Sequence, residues 1–289
     1  MLLERAILET LAYSDIFDYP LTLTEIYKYL IISATMEEIE NCIVKMNQVN
    51  FKNNFYFLTG RDEIVGTRQL REKKSRKILK RAILYGKILG VFPFVRMVGL
   101  TGSLAMLNLS QEIDMDFMLI TQPKRLWLAR AFAVTFGRIM RFAGDRICVN
   151  LLLSKNTLLW KEHDLYSARE ICQMIPIVGF DAYYDFRVAN LWTQEVLPNV
   201  PMTKNESMQI SWLPKIFEFP FLGKFGDLLE KWVMTFQLNI ISKNAGNSDE
   251  SNFSPDICQG NFHQHKKCTL ETYKDRLNML HPPSSADAE

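Results

Sequence analysis

Apolar residues open the chain at helical intervals, with Leu3, Ile7, Leu8 and Leu11 predicting a first helix before Asp18-Tyr19-Pro20 breaks it. Thr22 with Glu25, and Thr35 with Glu38, each have the spacing in which a threonine caps the first turn and the glutamate reaches back to it. Ile26, Tyr29 and Leu30 follow the first box, and Ile39 and Ile43 the second, so two more helices are expected. Phe55-Tyr56-Phe57-Leu58, a turn at Gly60-Arg61-Asp62, and Ile64-Val65 predict a hairpin. Residues 68–90 then read as a connecting helix. Strand and helix alternate over 94–154: strands at 95–100, 113–121 and 146–154, a short helix at 103–109, and a longer one from Pro123 to about Phe142. Helical patterns at 165–174, 183–196 and 225–241 follow, separated by prolines. Past Ser242 the chain turns polar to about Gly260, which predicts a mobile linker. A last helix is expected at 269–280, able to dock back, before a frayed end.

This pattern divides the chain into residues 1–66, 67–155, 156–242 and 243–289. Strands separated by helices give an α+β class, a small mixed sheet with helices. The flanking parts are an N-terminal unit of three helices and a hairpin, which resembles a winged helix in its order, and a C-terminal helical domain. A winged helix suggests DNA, but 35–47 carries Glu37, Glu38 and Glu40 against Lys45, the wrong sign for neutralising phosphates. DNA is therefore disfavoured as a partner of this unit, and a packing or partner role is expected.

Composition narrows the field. With 289 residues, 48% hydrophobic and 23% charged, the chain can bury a core of its own, which excludes disordered, collagen-like and disulfide-dominated classes. Lys and Arg number 34 against 32 Asp and Glu, a net +2 that gives no global pull towards polyanions. Five widely spaced cysteines, an odd number without C-x-x-C, point to a reducing compartment. No leader is read at the N-terminus, and the most apolar stretch, 126–143, is interrupted by Arg130, Arg138 and Arg141, so no membrane role and a cytoplasmic location are expected. Those arginines read as a solvated helix face or as charge compensation for a triphosphate. From Arg68 to Arg81 eight basic residues oppose only Glu72, which reads as a solvated face or, more sharply, as a positive rim near a polyphosphate or RNA site. Cys258, His263, His265 and Cys268 fit no common zinc spacing, and no Walker A, G-x-G-x-x-G, G-x-S-x-G or H-E-x-x-H is present.

The chemistry gathers at Thr101-Gly102-Ser103 and Asp114-Met115-Asp116. Alternate residues of a strand share a face, so Asp114 and Asp116 project together and Ile113, Met115 and Phe117 go to the other side. Adjacent carboxylates repel unless they share a proton or a cation, and such oxygens suit Mg²⁺. Gly102 permits close backbone approach, and Ser103 adds a hydroxyl and exposed N–H groups where a strand gives way to a helix, an anion site.

Gly-Ser, a spacer over 104–113, then Asp-x-Asp resembles the signature of the nucleotidyltransferase superfamily that includes DNA polymerase β and the minimal nucleotidyltransferases. The likeness covers about residues 94–154, with Thr101 in place of an apolar residue before Gly102. It implies a nucleotidyltransferase that moves a nucleoside monophosphate from a triphosphate to an acceptor and releases pyrophosphate. Asp114 and Asp116 would be catalytic and hold Mg²⁺, and Gly102 and Ser103 would bind the nucleotide's phosphates. The acceptor, a small molecule, RNA or a protein, is not specified. The family's third carboxylate comes from a later strand, where this chain offers Asn150. That leaves one-metal chemistry, an acid borrowed from Glu162 or Asp164, or a protein that binds nucleotide without transferring it. A DNA-binding regulator is the remaining alternative.

Overall fold

The computed structural model describes residues 2–110, 112–202, 218–244, 251–260 and 264–280. Three helices come first, α1 (Leu2–Asp15), α2 (Leu23–Tyr29) and α3 (Met36–Ile43). Both capping boxes form: Glu25 N–H is held by Thr22 Oγ1 and Glu38 N–H by Thr35 Oγ1, and each glutamate accepts in return from its threonine N–H. The hairpin differs from the expectation. Strand β2 (Phe55–Leu58) pairs backwards with β1 (Val49–Lys52), not forwards with Ile64-Val65. Asn53 and Asn54 sit at φ 52° and 69°, the left-handed pair that closes a two-residue hairpin. Ile64 and Val65 instead start the helix α4 (Glu63–Val91) and bury against Phe55 and Phe57.

Helix α4 leads into a six-stranded mixed sheet of order β6-β3-β4-β5-β8-β7. Its strands are β3 (Val95–Thr101), β4 (Asp114–Thr121), β5 (Arg146–Ser154), β6 (Ile175–Val178), β7 (Asn252–Phe253) and β8 (Ile257–Gln259). Only β4 and β5 run parallel, joined by the crossover helix α6 (Leu126–Phe142), and a four-residue helix α5 (Gly102–Ala105) follows β3. Three expectations change here. Residues 175–178 form an edge strand inside a stretch read as helical. Residues 252–259, read as a linker, add two strands beyond β5. The span 183–196 is two helices, α8 (Phe180–Ala189) and α9 (Thr193–Val196), parted at Asn190, whose side chain binds Leu158 O, Phe186 O and Trp160 N–H.

The two faces of the sheet are covered unequally. Met115, Phe117 and Leu119 enter a core closed by α4, α6 and α10 (Gly223–Asn244). On the other face Met118 and Ile120 are covered by α7 (Leu165–Gln173) and α8, through Ile171, Met174, Ala182 and Phe186. Asp114 and Asp116 lie on this second face at the start of β4, where both remain partly exposed. The last helix, α11 (His265–Leu280), lays Tyr273 and Leu277 on the core of the N-terminal unit.

The first basic residues of α4 are not a solvated face. Arg68 is buried, pairs with Glu25 at 2.8 Å, donates to Pro20 O and stacks over Tyr19 with its guanidinium carbon 3.7 Å from the ring centroid. Arg71 bonds Phe17 O and Asn108 Oδ1. Both tie the N-terminal unit to α4, and Arg71 also reaches Asn108 in the connection after α5. No helix among the described residues is long and apolar enough to cross a membrane.

Candidate functional site

Asp114 and Asp116 open into a cleft of about 480 Å³ that is also lined by Ser103, Ser110 and Glu112. Two local features build it. In the β3–β4 pair Thr101 lies opposite Asp116, so the turn after β3 falls directly beside the second acid. Gly102 takes φ +66°, where a side chain is strained, and a Cβ there would meet Asp116 Oδ2 at 2.6 Å, so glycine brings the turn close against this carboxylate. Ser103 is then exposed at the cleft.

Strand β5 supplies the neighbours. Asp114 pairs with Arg146 and Asp116 with Cys148 in register, and parallel strands keep these side chains on one face. The register shifts after Val149, leaving Asn150 as the extra residue of a bulge. Its Nδ2 donates to Asp116 Oδ1 at 2.6 Å. Asn150 thus reaches the acid pair as an amide donor and brings no third charge.

Burial, and then the charge of Asp114, push the Asp116 carboxyl up to about 6, against the opposing influence of Asn150 and Arg146. Arg146 Nε lies 3.0 Å from Asp114 Oδ1, and its Nη1 2.7 Å from Glu112. The Arg146 side chain is 52% exposed and that of Asp114 32%, so this is a surface pair that a cation or a phosphate can displace at little cost. Burial and the two aspartates together push the Cys148 thiol up to about 11, so it stays protonated beside Asp114.

Sequence reasoning missed Glu170. It sits in the last turn of α7, which leads into β6, and β6 flanks β3 on the side away from β4, with Leu100 opposite Ile175. Burial, then the Asp116 charge, push the Glu170 carboxyl up to about 7, while Gln173 donates to it. The acids suggested by sequence lie elsewhere: Asp164 caps α7 through Ser167 N–H and pairs with Lys266, and Glu162 is exposed. Helix α7, packed on the sheet through Ile171, carries Glu170 towards Asp116.

Arg130 does not join Arg138 and Arg141. It turns inward to Gln237, while the other two are exposed. Cys258 is buried in the sheet and Cys268 exposed on α11, while His263 lies outside the described residues. Among the described residues no three His, Cys, Asp or Glu side chains gather as a metal cage. Two carboxylates on one face still fit Mg²⁺, which is bound through one or two carboxylates and completes its shell with water and substrate phosphates.

A larger groove, about 600 Å³, lies between the N-terminal unit and residues 194–202. Glu38, its one carboxylate, is engaged in capping α3, so the acid cleft has the better chemistry despite its smaller size. Compared with protein-family models, with curated proteins and with solved structures, the chain matches none.

Proposed function

We propose that the protein is a metal-dependent nucleotidyltransferase, with a nucleotidyltransferase-like sheet beside a winged-helix-like unit. The observation that carries this reading is the pair of carboxylates on one strand face, set against a turn whose positive φ and close approach to Asp116 favour glycine. Asp114 and Asp116 would hold Mg²⁺, which would supply charge neutralisation for the triphosphate. Gly102 and Ser103 would bind the outer phosphates with backbone N–H groups and a hydroxyl. Arg146 beside Asp114 adds a cation at the mouth, and Asn150 fixes the orientation of Asp116. The acceptor's oxygen or nitrogen bonds to the α-phosphorus and gives its proton to water, the bond to the bridging oxygen breaks, and pyrophosphate leaves.

Asn150 favours a second reading, a protein that binds nucleotide and transfers nothing, because it puts an amide where the family's third carboxylate stands. Pyrophosphate release over a broad acceptor panel with Mg²⁺ and each NTP separates the two. Release that disappears in Asp116→Asn supports transfer. Nucleotide binding with no release over the whole panel supports the second reading.

A further inference from the structure

Helix α4 keeps a row of lysines that neither the fold nor the acid cleft uses. Lys73, Lys77, Lys80 and Lys87 are all exposed and recur at intervals of three, four and seven residues, so they run down one side of the helix. Among the described residues they make no ion pair or hydrogen bond, whereas their basic neighbours do: Arg68 with Glu25, Arg71 with Asp18, Arg76 with Glu72 and Arg81 with Asp145. Leu70 and Leu84 fall on the same side, 73% and 54% exposed.

This row borders the cleft. Lys74 Nζ donates to Ser110 O at 2.6 Å, and Ser110 lines the cleft beside Asp114 and Asp116. One full heptad along, Arg81 holds Asp145 at 2.8 Å, and Asp145 precedes Arg146, the partner of Asp114. The edge of α4 from Lys74 to Arg81 therefore follows the rim. At about 100° per residue, Lys77 lies about 60° around the helix from Lys74, and Lys73, Lys80 and Lys87 about 100° to about 140°. The lysines fan outward from the rim over about 21 Å of helix.

We infer that this side of α4 is a docking surface for a single-stranded polynucleotide. The transfer proposed above then has a polynucleotide end as its acceptor, and that second step rests on the proposed function. The cleft itself holds Glu112, Asp114 and Asp116 and repels a polyanion, so a phosphodiester strand needs a separate cationic bed up to the rim. A convex face with two exposed leucines buries too little apolar surface to dock a folded protein. Its attraction is electrostatic, which suits a chain of phosphates.

The test is fluorescence anisotropy with labelled oligouridylate and oligothymidylate across a salt series, using the full chain. Lys73→Ala, Lys77→Ala and Lys80→Ala together change only exposed helix positions. Against the wild type they are expected to reduce the slope of log affinity on log salt by about 2, and affinity at moderate salt by at least about tenfold. Lys224→Ala with Lys231→Ala on α10 is expected to leave binding within about twofold. Binding of either oligonucleotide with this pattern supports the surface, and the pair of arms says whether RNA or DNA is preferred. No binding of either, equal binding by the triple variant, or an equal loss in the α10 variant overturns it. Asp114→Asn separates this from the proposed function. A variant that loses Mg²⁺–ATP yet binds the oligonucleotide as wild type does supports both. If the triple variant binds less oligonucleotide while Asp114→Asn still binds Mg²⁺–ATP, the surface stands and the nucleotidyltransferase reading fails.

Discussion

Asp116 is half-buried, touches a second carboxylate's field and receives one hydrogen bond, from Asn150. Its carboxyl, raised from 3.8 to about 6, disfavours the charged form in the folded protein. The stability linked to this group is therefore fully present below its unfolded value and is lost as pH rises through about 6. In metal-free protein Asp116→Asn should raise the melting temperature at pH 7.5, by the equivalent of about 1–2 kcal/mol, and the advantage should vanish near pH 4. Equal melting of the two proteins at pH 7.5 contradicts this electrostatic account. The acid pair and the glycine turn were legible in the sequence, because strand alternation and one short connection bring Gly102, Ser103, Asp114 and Asp116 together. Glu170 was not legible, since its interaction with Asp116 comes from how α7 packs on the sheet, which no local pattern announces.

At the scale of elements, the strands that the sequence hid are those at the sheet's edges. Strand β6 contains Pro176, which cannot donate to a ladder and is tolerated because β6 has a neighbour on one side only. Strands β7 and β8 lie in a polar stretch and pair over two or three residues, too short for periodicity to register. The central strands, apolar runs of seven residues or more, were read to within one residue. The crossover helix α6 starts at Leu126 rather than Pro123, and its capping comes from another element. Glu230 on α10 accepts from Trp127 N–H at 2.7 Å and Leu128 N–H at 2.9 Å. No local motif encodes that contact. Glu230→Ala should destabilise the protein by about 1–2 kcal/mol, as the loss of a cap does. Chemical denaturation measures it, and a change under about 0.3 kcal/mol would show that α6 needs no such partner.

At the scale of the whole molecule, Arg68 joins the N-terminal unit to α4, which packs on the sheet, and α11 closes over that unit. Burial alone raises the Glu25 carboxyl, but hydrogen bonds and charge from Arg68, with the Thr22 N–H, reverse this and hold it below its ordinary value. The stability from this pair is present at neutral pH and lost as pH falls through the lowered value. Arg68→Ala strands a largely buried carboxylate and should cost about 3 kcal/mol at pH 7, less at pH 4, read from urea unfolding. An unchanged midpoint at pH 7 would mean that the two parts are not coupled there. Net charge gave no hint of how cations are distributed: α4 carries one group that builds this joint and another that faces outward beside the cleft. The central claim is that Asp114 and Asp116 share a cation with a triphosphate held at the Gly102 turn. Calorimetric titration of Mg²⁺–ATP into wild type, Asp114→Asn and Asp116→Asn tests it most directly. The account expects Mg²⁺-dependent binding by wild type, weakened at least about tenfold in each variant, a loss of about 1.4 kcal/mol or more. Equal binding by all three, or binding that ignores Mg²⁺, would contradict it.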